Sequence, residues 1–202
     1  MDTKKSTLNS YLSHQKEYID RYSKFPPRVQ DIDRAFNLYS WDQKLSDLQI
    51  LELWCCAGRE YSYIRKYSEN YIWVDIQNQT IDFAQNTYWN NKFICSNFEK
   101  IDFPVHQDIV FAFASLLHCN AKEMKTMLAK IYTCLSESWL AYISLKRADL
   151  YDTYTENNTG RVFYLYSLEV FESISSEYFS TIYAEENQHN NQDWITIVLS
   201  KK

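Results

Sequence analysis

Two carboxylates and one histidine are the side chains whose settings suggest chemistry. Glu52 lies in a short apolar run, Ile50-Leu51-Glu52-Leu53, which ends in the tight segment Trp54-Cys55-Cys56-Ala57-Gly58 and enters Arg59-Glu60-Tyr61-Ser62-Tyr63-Ile64 at helical spacing. A strand, a turn and a helix in that order put the turn at the carboxyl end of a strand, where a parallel sheet binds its ligands. Asp75 closes a second apolar run, Tyr71-Ile72-Trp73-Val74, 17 residues beyond Gly58. At that distance past such a turn an acid can accept both hydroxyls of a ribose. A lone Asp at a strand end more often caps the next helix, but behind the 52–58 segment the ribose is the favoured partner. His118 ends Ala114-Ser115-Leu116-Leu117-His118, directly after the apolar strand 108–113. Two readings stand for it: a general base or substrate hydrogen-bond partner, or a cap of the following helix. His14, His106 and His189 lie in polar sequence and read as surface residues.

The elements needed to hold these groups alternate along the chain. Residues 7–22 have roughly helical apolar spacing, Phe25-Pro26-Pro27 breaks it, and a second helix is expected over 29–38, presenting Val29, Ile32 and Phe36. After the strands ending at Leu53 and Asp75 come a helix over 80–87, a strand with its exit loop over 92–98, the strand 108–113, a helix over 121–135 with an apolar stripe from Met124 to Leu135, and a strand over 140–146. The nearly continuous apolar character of 108–113 fits a strand covered on both faces. Residues 136–139 read as a turn and 149–160 as a mobile loop. A helix starts at Ser167, and 180–183 with 194–199 close the chain as an antiparallel pair.

At 202 residues and 46% apolar content, the chain suits a single α/β domain, with a helical cap over 1–40 and a core over 48–202. A net charge of −5 without a basic run makes long nucleic acid an unlikely partner. No apolar stretch approaches the roughly 20 residues of a membrane span, and the N-terminus lacks a signal-type apolar segment, so a cytoplasmic protein is expected. Five cysteines form neither a disulfide framework nor a zinc spacing, and buried reduced thiols are expected, with no metal. Oligomeric state is not legible.

Residues 52–58, Asp75, Asn97 and 114–118, taken in order, resemble the motifs of the class I S-adenosylmethionine-dependent methyltransferases. The resemblance covers most of the chain and implies a Rossmann-like, doubly wound, seven-stranded and mostly parallel sheet, with an antiparallel terminal hairpin and N-terminal cover helices. It implies S-adenosylmethionine as cofactor, held by Glu52, Trp54, Cys56, Gly58, Asp75, Ile76, Asn97, Phe98 and Ala114. Asn97 stands where the family commonly has an acid against the adenine amine, and its side-chain oxygen can accept the same bond. Tyr61, Ser115, His118 and Tyr164 would line the site of a small-molecule acceptor.

Trp54, Trp73 and Trp139 stand where this resemblance calls for glycine. Glycine at such sites supplies positive φ or close backbone approach. The chain has 2 glycines where roughly 14 are usual for its length. One cause accounts for all three positions: a gene whose code reads UGA as glycine, translated with a table that reads it as tryptophan. Trp194 reads as a true tryptophan, Trp41 and Trp89 stay unassigned, and Cys56 falls outside this account. Taken literally, Trp54 would fill the methionine end of the cofactor site, so the alternative is a catalytically inactive binding protein on the same fold. A nucleotide-dependent oxidoreductase on a related sheet ranks third.

Overall fold

The computed structural model describes residues 3–39, 44–89, 92–97 and 100–202; Trp41 and Phe98 lie outside the described residues. Three helices, α1 (Thr3–Ser13), α2 (Gln15–Tyr22) and α3 (Val29–Leu38), precede β1 (Ile50–Leu53). There follow α4 (Tyr61–Ile64), β2 (Tyr71–Asp75), α5 (Asn78–Tyr88), β3 (Phe93–Cys95), β4 (Gln107–Phe113), α6 (Ala121–Cys134) and β5 (Leu135–Lys146). The chain ends with β6 (Asp152–Thr155), β7 (Val162–Leu165), α7 (Leu168–Ser175), β8 (Phe179–His189) and β9 (Gln192–Lys201).

Seven strands form one sheet in the order β3-β2-β1-β4-β5-β9-β8, and β6 and β7 form a separate hairpin. Strands β1 to β5 are parallel, while β9 runs antiparallel to both β5 and β8. This is the expected doubly wound, Rossmann-like sheet. The strand order reverses between β1 and β4, so the crevice past their carboxyl ends is the natural ligand site. All four residues of β1 and all seven of β4 are buried, which explains their largely apolar sequence, broken only by Glu52 in β1 and by Gln107 and Asp108 at the start of β4.

Several local expectations need correction. The helix read over 7–22 is two, α1 and α2, parted at His14, whose φ of −118° is not helical. The helix after Gly58 is a single turn. Val29 is exposed, and α3 buries Ile32, Ala35 and Phe36 instead. No turn separates α6 from the fifth strand: Leu135 swings directly into extended backbone at φ −70°, ψ 138°, and 136–139 belong to β5. The polar stretch 149–160 contains β6, which pairs with β7; its residues are exposed on both faces, so it lacks the alternation that marks a strand. The same two-faced polarity hid the outer half of β8, residues 184–189. Cys55, Cys119 and Cys134 are buried thiols, but Cys95 is exposed.

Backbone conformation separates the tryptophans. Trp54 has φ 63° and Trp89 φ 51°, both left-handed, whereas Trp73 and Trp139 have negative φ in regular strands. Of the two grounds for glycine, positive φ or close backbone approach, the first is absent at 73 and 139. Trp73 is fully buried and stacks on Phe93 at 4.2 Å, and Trp139 stacks on Tyr39 at 4.8 Å. Trp89 ends α5 in the left-handed conformation with its side chain 94% exposed.

Candidate functional site

The segment after β1 is held by the sheet that carries it. The Trp54 N–H donates to the Val74 carbonyl at 2.7 Å, fixing the start of the loop to β2. Alternate residues then turn left-handed: Trp54 at φ 63°, Cys56 at 49° and Gly58 at 72°. Only Gly58 is of the type this conformation favours. Its missing side chain also matters, because a Cβ there would meet the rings of Phe93 and Tyr88 at 3.0 Å.

Asp75 faces this loop. Its Oδ2 accepts from the Cys56 N–H at 2.8 Å and its Oδ1 from the Gln77 N–H at 2.9 Å. The carboxyl is fully buried, and burial raises it to about 6 against the opposing pull of those N–H groups. The Ser96 N–H donates to the Asp75 carbonyl at 2.8 Å and the Cys95 thiol lies 3.7 Å from the Ile76 carbonyl, so the bend carrying Asn97 sits against the end of β2.

Two buried polar atoms at this edge of the sheet have no hydrogen-bond partner among the described residues: Gln77 Oε1 beyond β2 and Ser115 Oγ beyond β4. A buried polar atom without a partner costs on the order of 1–3 kcal/mol, so a ligand that supplied the bonds would recover it. Ala114, between β4 and Ser115, has φ 52°, and its N–H is held by the Ser144 hydroxyl at 2.9 Å.

His118 ends a short 3-10 turn, Leu116–His118, and both ring nitrogens are engaged. The Val162 carbonyl, 2.5 Å from Nδ1, can only accept, so Nδ1 carries the proton. Nε2 is then the bare nitrogen and accepts from the Tyr11 hydroxyl at 2.8 Å. Burial pushes the imidazole down to about 4, which leaves it neutral at physiological pH. Tyr11 comes from α1 and Val162 from β7, so this histidine ties the N-terminal cap and the extra hairpin to the sheet.

The indole of Trp54 stands against this group, with ring centroids 5.6 Å from His118 and 5.8 Å from Tyr11. It therefore covers the ground between the loop and His118. Phe163 packs on the histidine at 4.6 Å, and the Lys146 ammonium lies 3.8 Å from the centre of the Phe163 ring. Arg161 stacks over Tyr11 and Tyr18 and is held by Glu156.

The structure thus gathers Trp54, Cys56, Gly58 and Asp75 in one loop assembly, with Ile76 and Asn97 beside it and Ala114, Ser115 and His118 at the end of β4. Glu52 points elsewhere: it is buried, accepts from the Tyr71 hydroxyl, and is raised to about 8 by burial and then by the charge of Glu60. Tyr61 packs among Trp73, Tyr88 and Phe93. Tyr164 stacks on Tyr151, and its strand neighbour Phe163 takes the place at His118. Tyr11, Lys146, Arg161 and Gln77 were missed by sequence reasoning. Lys146, as the last residue of a read strand, carried a positional signal; the others depend on how α1 and the β6–β7 hairpin fold over the sheet. Among the described residues no group of three or more side chains is set to hold a metal, and no helix is long and apolar enough to cross a membrane.

The sheet order and the loop opposite an acid at the end of β2 define a Rossmann-like fold. Comparison with known proteins narrows the class. Residues 50–138 match the family described as "Methyltransferase domain". Among solved structures the chain is similar to 1,6-didemethyltoxoflavin-N1-methyltransferase from Burkholderia thailandensis, with bound 1,6-didemethyltoxoflavin and S-adenosylhomocysteine (TM-score 0.72, 14% identity, covering 98% of this chain and 87% of that one). It is similar to magnesium protoporphyrin IX methyltransferase from Synechocystis PCC 6803 with bound SAM (TM-score 0.72, 13% identity, 100% and 98% covered). A third similar structure is the N-methyltransferase NodS from Bradyrhizobium japonicum WM9 in complex with S-adenosyl-L-homocysteine (TM-score 0.65, 13% identity, 96% and 98% covered). A search of curated protein sequences gives no match. Residues 50–138 thus match a methyltransferase domain, and the chain shares the fold of these solved structures.

Proposed function

We propose that this chain has the architecture of a methyltransferase which, with glycine at position 54, binds S-adenosylmethionine at the 54–58 loop and acts on a small-molecule acceptor beside His118. The observation that carries the reading is the run of left-handed φ at 54, 56 and 58 around the buried Asp75 carboxylate. A loop of that shape turns its backbone toward a ligand rather than its side chains.

The loop backbone, Asp75 and the unpartnered Gln77 and Ser115 oxygens suit a polar nucleoside ligand. The Trp54 indole does not, and a glycine at that position would open the space. With glycine at 54, the 54–58 backbone and Asp75 would hold the ribose and methionine portions, and Asn97 the adenine. When bound, S-adenosylmethionine supplies an electrophilic methyl group. The work left to the protein is alignment and exclusion of water. The cap helix α1 and the β6–β7 hairpin, pinned by His118, would close the acceptor side. His118 Nε2 is already engaged by Tyr11, so it orients that hydroxyl in this arrangement, and it would meet an acceptor proton only if Tyr11 moved aside.

Titration of the Trp54→Gly variant with S-adenosylhomocysteine, followed by thermal melting, tests the reading. A saturable rise in Tm supports it. No rise in a variant that folds cooperatively would leave a fold without the cofactor.

A further inference from the structure

Lys146 is the last residue of β5, two positions past Ser144 on the same strand face, and Ser144 supports Ala114 at the end of β4. Its ammonium therefore lies beyond the carboxyl edge of the sheet, under the β6–β7 hairpin. There it is 3.8 Å from the centre of the Phe163 ring and 4.7 Å from that of Tyr154, and it donates to the Tyr154 hydroxyl. The two rings are nearly parallel, 4.9 Å apart. Among the described residues no carboxylate lies within 4.0 Å of this ammonium. The nearby Glu156 is engaged by Arg161, which donates to it from Nε at 2.9 Å and Nη2 at 2.7 Å, and by the Thr159 hydroxyl.

Charge balance at this corner is thus one carboxylate against two cations, within a chain whose net charge is −5. A half-buried ammonium without a counter-ion is costly, and aromatic faces offset only part of that. Burial pulls Lys146 down to about 8, which leaves it mostly charged at neutral pH. Its ring partner Phe163 touches His118, so the surplus charge sits one ring away from the site proposed for the acceptor.

We propose that Lys146 binds a negatively charged group on the acceptor, and that the acceptor is a flat aromatic carboxylate resting on the exposed Tyr154 ring, with Phe163 buried behind it. The word acceptor rests on the methyltransferase reading; the anion site rests on the charge balance and the ring geometry alone. Arg161 is already neutralised, so it would contribute little to the anion, and Lys146 would discriminate.

The test uses no cofactor. The chain and its Trp54→Gly variant are titrated with benzoate, benzyl alcohol and benzylammonium at one ionic strength, with binding read by ligand-observed NMR and calorimetry. Benzoate is expected to bind at least tenfold tighter than benzyl alcohol and benzylammonium more weakly than either. Lys146→Met should abolish the preference and Lys146→Arg should retain it. Equal binding of benzoate and benzyl alcohol, or a preference that survives in Lys146→Met, overturns the proposal. If Lys146→Met does not fold, the three-ligand comparison on the other two proteins decides. Benzoate preference without S-adenosylhomocysteine binding by Trp54→Gly would sink the transfer reading alone, and cofactor binding without benzoate preference would sink the anion site alone.

Discussion

The Cys56 N–H donates to Asp75 Oδ2 at 2.8 Å, making the loop after β1 and the end of β2 one unit. The carboxylate proposed here for the hydroxyls of a nucleoside also holds the loop in its left-handed course. A change at either partner should be felt at the other.

Trp54 is the first place to look. At φ 63° its conformation costs a non-glycine residue roughly 1–2 kcal/mol, and its indole covers the approach to His118. The chain with Trp54 is expected to show no change in Tm with S-adenosylhomocysteine. Trp54→Gly at ligand a hundredfold above Kd should gain about 2.7 kcal/mol, which for a chain of this size is a rise of roughly 5–10 °C. Micromolar binding by the Trp54 protein, seen in the same melting series, would remove the steric argument.

Trp89 and Trp73 make a contrasting pair. Trp89→Gly should stabilise the chain by roughly 1 kcal/mol, because an exposed helix-ending residue at φ 51° loses little packing and sheds the left-handed strain. Trp73→Gly should destabilise by about 3–5 kcal/mol, since it empties a fully buried position stacked on Phe93. Urea unfolding of the two variants measures both. The same geometry bears on the gene: UGA is expected at codons 54 and 89, and a UGG at either takes that residue out of the recoding account. At 73 and 139 the strand backbone lends that account no support.

His118 gives a pH signature. Burial holds its folded value near 4, below the 6.5 of the free side chain, so the unfolded chain takes up the proton first as pH falls. The stability it contributes is complete above about pH 6.5, declines as pH drops, and is lost by about pH 4, up to roughly 3 kcal/mol in all. Subtracting the stability profile of His118→Asn from that of the parent, by urea unfolding between pH 4 and 7.5, should reveal this slope. A flat difference would place the histidine in contact with water.

Glu52 should act in the opposite sense. Burial raises its folded value to about 8 from 4.5, so the folded chain favours the protonated acid. Its contribution is present below about pH 4.5 and is lost as pH rises through about 8. Glu52→Gln, which keeps an acceptor for the Tyr71 hydroxyl, is expected to be the more stable protein at pH 8 and to lose its advantage at pH 4.5. Melting curves at those two pH values check it.

The sheet was legible in the residues alone, because largely apolar runs such as 50–53 and 109–113 suit strands covered on both faces, and their alternation with helices leaves few topologies. The sequence also placed Asp75 opposite the loop, since a strand end following a strand-turn-helix unit has one location in such a sheet. Folding in three dimensions decided the acceptor side. Tyr11 and Phe163 meet His118 directly, and Arg161 and Lys146 lie against those two rings; α1, β5 and the β6–β7 hairpin bring them together, and the hairpin has no alternating pattern to announce it. Backbone torsion was likewise beyond reach: resemblance marked 54, 73 and 139 alike, but left-handed φ occurs only at the first, and at Trp89. A glycine requirement belongs to the conformation of a site, which residue spacing does not specify.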